Sequence, residues 1–223
     1  MLKTDLKKEI ESTLELIKID IDEYLKDGDI ESAFKRIDRG MKGILGLDIL
    51  TVNTLAFENI LELVSKENQY NSDRYTALGE LLFFEGCIYD KLNNNSNKIN
   101  FYKKALKSFY AAFCEDNEVD EKYRDDVMSI LDYLSEYEIN LSESKMLFNL
   151  YEYNKCFDKA EDMLFYMIKI SNKSKNIINN GIEFYNRLKA MDEDILIEGN
   201  LPIEEVEDSL KEIEKMIYKG VSH

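Results

Sequence analysis

Tryptophan is absent from the 223 residues, proline occurs once, at Pro202, and glycine only nine times. So few chain breakers favour long uninterrupted elements. The one histidine is the final residue, His223, which excludes His-based triads, His-ligated metals and imidazole general bases. Three cysteines, Cys87, Cys114 and Cys156, are odd in number and widely spaced. They argue against a disulfide framework or a cysteine zinc site, and for a reducing compartment. Basic residues are scarce beside acids: 29 Lys and Arg against 45 Asp and Glu leave −16. Proteins that neutralise phosphates or dock on anionic lipid need a basic surplus, so nucleic acid and membrane surfaces are excluded as partners. The longest apolar run, Met163 to Ile168, has six residues where a membrane span needs about twenty. Met1 to Glu11 lacks the apolar core of a secretory signal, and the predicted location is the cytoplasm.

What is present is core material, 44% hydrophobic and 11% aromatic, enough to fold a chain whose charge excess sits on a solvated surface. Apolar residues recur at intervals of three and four almost throughout, which is the helical period. Leu14, Ile17, Ile21, Tyr24 and Leu25 form one such stripe, and Ile30, Ala33, Phe34 and Ile37 begin the next after Lys26-Asp27-Gly28-Asp29. The pattern predicts an all-α protein of about ten helices with no sheet. Beyond the first two, helices are expected over 52–66, 73–92, 99–114, 120–137, 142–153, 157–171, 175–191 and 202–218. Pro202 is expected at a first helical position, with Glu204 and Glu205 in the dipole-favourable first turn. Asn93-Asn94-Asn95-Ser96-Asn97 reads as an exposed, mobile loop.

Three helix pairs align on a small residue of the second helix. Tyr24 precedes Ala33 by nine, with Ile37 and Gly40 following; Tyr151 precedes Ala160 by nine, with Leu164 and Met167 at the same offsets. Tyr89 precedes Ala105 by sixteen, the excess lying in the asparagine tract, and Phe109 and Ala112 follow. A helix A tyrosine, then alanine, large apolar and small residues on helix B, form the tetratricopeptide pattern. It predicts a tetratricopeptide-like array of antiparallel hairpins forming a single helical repeat domain over 1–223. The domain comprises an N-terminal hairpin (1–45), central hairpins (46–174) and C-terminal helices (175–223). A generic helical bundle buries the same residues.

Further segments carry a family resemblance: Leu78-Gly79-Glu80-Leu81-Leu82 with Glu85-Gly86-x-Ile88-Tyr89, and Leu147-Phe148-x-Leu150-Tyr151-Glu152 with Lys159-Ala160-Glu161-Asp162. Gly181-Ile182-x-Phe184-Tyr185-x-x-Leu188 and Gly199-Asn200-Leu201-Pro202-x-Glu204-Glu205-Val206 complete them. Over about residues 40 to 218 the chain resembles an uncharacterised family of tetratricopeptide-like proteins from Gram-positive bacteria. The resemblance implies an all-helical array and brings no activity, cofactor or catalytic residue.

Motifs that resemble chemistry have structural explanations. Gly40-x-x-Gly43-x-x-Gly46 follows a helix and lacks the Lys and Ser or Thr of a phosphate loop, so it reads as a helix end and turn. Each cysteine reads as a buried packing thiol. Glu115-Asp116-Asn117-Glu118-Val119-Asp120-Glu121 lacks the sixth-position glycine of a calcium loop and reads as an inter-helix turn. No catalytic, cofactor or metal residues are assigned. Function is therefore expected on a surface. The repeat register places groove positions at Glu80, Phe83, Cys87, Asp90 and Lys91, and at Ser142, Lys145, Asn149, Glu152 and Tyr153. Of these, Phe83, Asp90, Lys91, Lys145, Asn149, Glu152 and Tyr153 are the candidate partner-binding residues. Asn149 offers donor and acceptor to a peptide backbone, and Phe83 or Tyr153 can hold an apolar side chain. The expected function is a non-enzymatic interaction module, a scaffold or adaptor, for a protein or peptide of basic character. The alternatives are a small-peptide signalling receptor and, more distantly, a carboxylate-based metal-dependent hydrolase. The acidic stretch from Glu9 to Asp22 opposes a DNA-binding helix-turn-helix.

Overall fold

The computed structural model describes residues 3–65 and 71–219. It is 83% helical, with twelve α-helices among the described residues, ten of them of seven residues or more, and no strand there. In chain order these are α1 (Lys3–Asp27), α2 (Ile30–Gly40), α3 (Ile49–Thr54), α4 (Phe57–Val64), α5 (Asn71–Lys91) and α6 (Asn95–Asp116). Then come α7 (Arg124–Ser135), α8 (Leu141–Tyr153), α9 (Phe157–Ile170), α10 (Lys175–Leu188), α11 (Glu193–Glu198) and α12 (Ile203–Lys219). A π-helical turn, Met41–Leu45, follows α2, and a 3₁₀ turn, Glu121–Tyr123, precedes α7. The chain divides into two compact units, residues 1–136 and 137–223. This division coincides with neither of the expected internal boundaries, after residues 45 and 174.

In the first unit α5 is the central element, packed against α1, α2, the π turn, α4, α6 and α7. A helix enclosed on all sides must be apolar all round. Accordingly every residue from Ala77 to Gly86, and Ile88 after it, is buried. Among them are two acids, Glu80 and Glu85, with no solvent face to turn to. The α5–α6 pair is antiparallel, with Gly79 against Phe109 and Gly86 against Tyr102, seven residues apart on each helix. A Cβ at Gly86 would lie 2.5 Å from the Tyr102 ring, so only glycine permits this approach. Arg74, near the start of α5, is buried and donates from Nε to the Val64 carbonyl (2.7 Å), from Nη1 to Ile44 (3.1 Å) and from Nη2 to Leu45 (3.0 Å). One guanidinium thus satisfies carbonyls left over where the π turn and α4 end. Of the expected stripe, Leu14, Ile17 and Ile21 are buried, as is Ile10 before them, while Tyr24 and Leu25 are half-buried near the end of α1, which packs on α2 and α5.

In the second unit α8 pairs with α9, and α10 packs on α9 and α12. Asn140 caps α8 in a reciprocal box with Glu143. Gly199 braces the start of α9, where its carbonyl accepts from the Phe157 and Asp158 amides (3.1 and 3.3 Å). A Cβ there would lie 2.2 Å from Phe157 Cδ2. Pro202 stands one position before α12, where its carbonyl accepts from the Val206 amide at 3.1 Å.

Several expectations are revised. The asparagine tract is no loop: Asn93 takes a left-handed turn (φ 53°), Asn94 caps α6 by accepting from the Asn97 amide, and α6 starts at Asn95. Asparagine serves here because its short amide tolerates positive φ and mimics a backbone turn. The helix expected over 52–66 is two helices, α3 and α4, separated at Leu55 and Ala56, whose backbones are extended. Its first three residues, Val52, Asn53 and Thr54, have weak helical propensity. Lys66 and His223 lie outside the described residues. Cys114 is exposed near the end of α6 and Cys156 sits half-buried at the start of α9. Cys87 is also half-buried, and burial pushes its thiol up to about 11. The Gly40 to Gly46 stretch is the helix end and turn that its sequence predicts, with Gly46 left-handed (φ 75°).

Candidate functional site

The groove residues expected on α5 divide between core and surface. Phe83 is 7% exposed, its ring 6.0 Å from Phe84 and 5.5 Å from Tyr102, so it belongs to the core and not to an open face. Asp90 and Lys91 are exposed near the end of α5. Asp90 is not a free charge: Lys98 donates to it at 2.9 Å while lying 3.8 Å from the centre of the Tyr133 ring. The residues expected on α8 are more accessible. Lys145, Asn149 and Glu152, at helical spacing, share one face and are half-exposed, and Tyr153 is exposed. Glu152 is held by a two-pronged pair with Arg187, at 2.7 and 2.8 Å. The acids counted toward an attractive groove are therefore paired, Asp90 and Glu152, or buried, Glu80.

Glu80 leads to a site that the repeat register misplaces onto a surface. Within the first unit a cavity of about 210 Å³ is lined by Leu14, Glu15 and Lys18 of α1, Glu80 and Phe84 of α5, Lys122 and Tyr123 of the 3₁₀ turn, and Asp126 of α7. Lys18 pairs with Asp126 at 2.7 Å and Lys122 with Glu15 at 3.5 Å, so each cation already has an acid beside it. Leu14 and Phe84 supply apolar wall.

Two polar atoms here have no partner. Glu80 is 1% exposed and its Oε1 makes no hydrogen bond; Tyr123 is 6% exposed and its hydroxyl makes none. Burial, reinforced by the negative charge of Asp126, raises the Glu80 carboxyl well above the ordinary range. The shift favours the protonated form, in which a bond to Asp126 is one of the causes of the rise, while Oε1 has no partner. Burial likewise raises the Tyr123 hydroxyl, with Glu80 next among the causes. Desolvation works to lower Lys18, but the hydrogen bond to Asp126 and the surrounding acids outweigh it, and the ammonium stays charged. Unpartnered buried polar groups cost on the order of 1–3 kcal/mol each, so two in one cavity are an exception that calls for an occupant. The available signal in sequence was Glu80 itself, an acid inside the apolar run from Ala77 to Ile88.

Glu85 is the second buried acid of α5. Asn53 Nδ2 donates to its Oε1 at 3.2 Å, Oε2 has no partner, and burial raises the carboxyl to about 7. A narrower cleft of about 30 Å³, with Lys7, Glu11, Ser72 and Asp116 among its walls, is crossed by a Lys7–Asp120 pair at 2.7 Å. Among the described residues no group of three His, Cys, Asp or Glu is placed to hold a metal ion, and no helix is long and apolar enough to cross a membrane.

The chain belongs to a family of unknown function (DUF6483), whose model matches residues 2–218. No curated protein and no solved structure matches it.

Proposed function

We propose that the chain is a non-enzymatic cytoplasmic binding module, a scaffold or adaptor that engages a partner polypeptide of basic character. The observation that carries this reading is the cavity lined by Glu80 and Tyr123, whose Oε1 and hydroxyl are buried without partners beside the apolar Leu14 and Phe84. Such a site is made to receive a donor from outside the fold. The net charge of −16 supports the same choice, because an acidic surface speeds encounter with cationic partners and repels nucleic acid. With Asp90 and Glu152 paired, long-range attraction is assigned to the overall field, not to the two groove acids. On this reading the helix pairs α1–α2, α5–α6 and α8–α9 are tetratricopeptide-like repeats, consistent with Ala33, Ala105 and Ala160 each being fully buried.

Fluorescence anisotropy of the full chain tests this, with a labelled lysine-rich peptide and an acidic peptide of equal length, at low and at physiological salt. The basic peptide is expected to bind and to weaken as salt screens the field beyond about 8 Å. Equal binding of the acidic peptide, or binding of neither, overturns the reading.

A further inference from the structure

The cavity bounded by α1, α5, the 3₁₀ turn and α7 is specific enough in its chemistry to name an occupant. Its volume of about 210 Å³ equals that of roughly seven water molecules at ~30 Å³ each, which accommodates a short aliphatic chain with a polar end. Leu14 and Phe84 offer apolar contact for the chain, and Glu80 and Tyr123 line the same cavity with an Oε1 and a hydroxyl that are covered from water and have no partner, acceptors for the end once it enters.

Charge counting selects the sign of that end. Facing Glu80 are Lys18 and Glu15 from α1, Lys122 from the 3₁₀ turn and Asp126 from α7. The two cations cancel the two acids, so the site is neutral while Glu80 holds its proton and carries −1 when Glu80 ionises. One monocation restores neutrality. An anion would have to draw Lys18 or Lys122 away from Asp126 or Glu15. A guanidinium brings five N–H donors to a site with two free acceptors and would leave several unpaired, whereas an ammonium brings three, the third pointing to the open mouth.

We propose that this cavity binds a primary alkylammonium of the length of a lysine side chain, its stem on Leu14 and Phe84 and its nitrogen donating to Glu80 Oε1 and Tyr123 Oη. This rests on the proposed binding of basic polypeptides and names the side chain they insert. Seating the ammonium beside Glu80 favours the carboxylate, so Glu80 gives up its proton to the buffer as the ligand enters. Because the empty site holds that proton well above the ordinary carboxylate range, binding tightens as pH rises through the interval between the ordinary and the raised value. The gain is at most tenfold per pH unit for one proton released.

The probes are n-butylammonium chloride and N-acetyl-lysine methylamide, with N-acetyl-arginine methylamide for comparison, titrated calorimetrically in phosphate and in MOPS. A difference in apparent enthalpy between the two buffers counts protons released. The wild-type protein is expected to bind both amines with release of up to one proton and to prefer the lysine derivative over the arginine one. Glu80→Gln keeps the shape and removes the ionisable group; it should weaken the amines by at least about tenfold, as losing a charge-assisted bond does, and abolish proton release. Tyr123→Phe should weaken binding less and leave proton release intact. Amine affinity unchanged in Glu80→Gln, buffer-independent enthalpies, or equal binding of the arginine derivative would overturn the proposal. If the lysine-rich peptide binds wild type and Glu80→Gln alike, this assignment falls and the binding-module reading stands. If n-butylammonium binds with proton release and the peptide does not bind, the site stands and the module reading falls.

Discussion

Glu85 makes the stability of the first unit depend on pH in a way that one substitution isolates. Its carboxyl is 1% exposed, accepts one hydrogen bond from Asn53 and is raised by burial from 4.5 to about 7. Below about pH 4.5 both folded and unfolded chains hold the proton and the group is neutral in the balance. As pH rises toward 7 the unfolded chain ionises Glu85 while the folded chain does not, so stability falls. Above about 7 the fold must contain a buried carboxylate, and the loss is complete. At roughly 1.4 kcal/mol per factor of ten in proton affinity, the span from 4.5 to about 7 amounts to ~3 kcal/mol. Glu85→Gln retains the acceptor for Asn53 and cannot ionise. The stability difference between the Glu85→Gln variant and the wild-type chain, measured by urea unfolding, should therefore widen by about 2.5 kcal/mol in favour of the variant between about pH 5 and pH 8. All other titrating groups are common to both proteins and cancel, as does any fixed cost of burying the amide nitrogen. In thermal scans the same change is on the order of 10 °C for a unit of this size. A difference that stays flat across that range would refute the reasoning, because it would mean that Glu85 ionises in the fold as easily as in the open chain.

The α5–α6 contact predicts that Gly86→Ala destabilises the first unit by about 1–2 kcal/mol. Helix propensity gains up to ~1 kcal/mol, but the new methyl meets the Tyr102 ring, which Phe83 and Tyr133 hold in place, at a typical overpacking cost of ~1–3 kcal/mol; a raised denaturation midpoint would contradict it. Arg74→Met keeps the aliphatic stem and strips hydrogen bonds from the carbonyls of Ile44, Leu45 and Val64. It should cost roughly 2–3 kcal/mol and speed amide exchange at residues 41–65 before the rest of the unit, and uniform exchange would deny Arg74 its role as a clamp. In the second unit, Ala160→Leu puts a branched side chain at a fully buried position of the α8–α9 pair. A loss on the order of 1–3 kcal/mol is expected by chemical denaturation, and an unchanged midpoint would show that the pair does not pack through Ala160.

The fold class was legible because a periodicity of three and four leaves no room for strands, and most helix bounds were placed to within a few residues. The exceptions share a cause. By composition the asparagine tract is a loop, yet one asparagine takes the left-handed turn and the next caps α6. Single side chains thus fill the role assigned to a flexible segment. The break between α3 and α4 and the short α11 were not foreseen, since segments of six residues carry too little periodicity to register. The groove positions follow from the repeat register only where a helix has one open face. For α8 that holds, and Lys145, Asn149, Glu152 and Tyr153 are at least partly accessible. For α5 it fails at Phe83 and Glu80, because a helix enclosed by α1, α2, α4, α6 and α7 has no open face except near its end, where Asp90 and Lys91 emerge.

Sequence alone determined that this chain is helical and acidic, because periodicity and charge are local properties read directly from residue order. It also marked two acids within an apolar run without indicating whether they would face water. Only the tertiary structure decided that. By surrounding α5 it removed the solvent that would have ionised Glu80 and Glu85, and by bringing Lys18, Lys122, Tyr123 and Asp126 to Glu80 from three other elements it formed a cavity. Desolvation and charge pairing depend on neighbours far apart in the chain, and packing alone sets which neighbours those are.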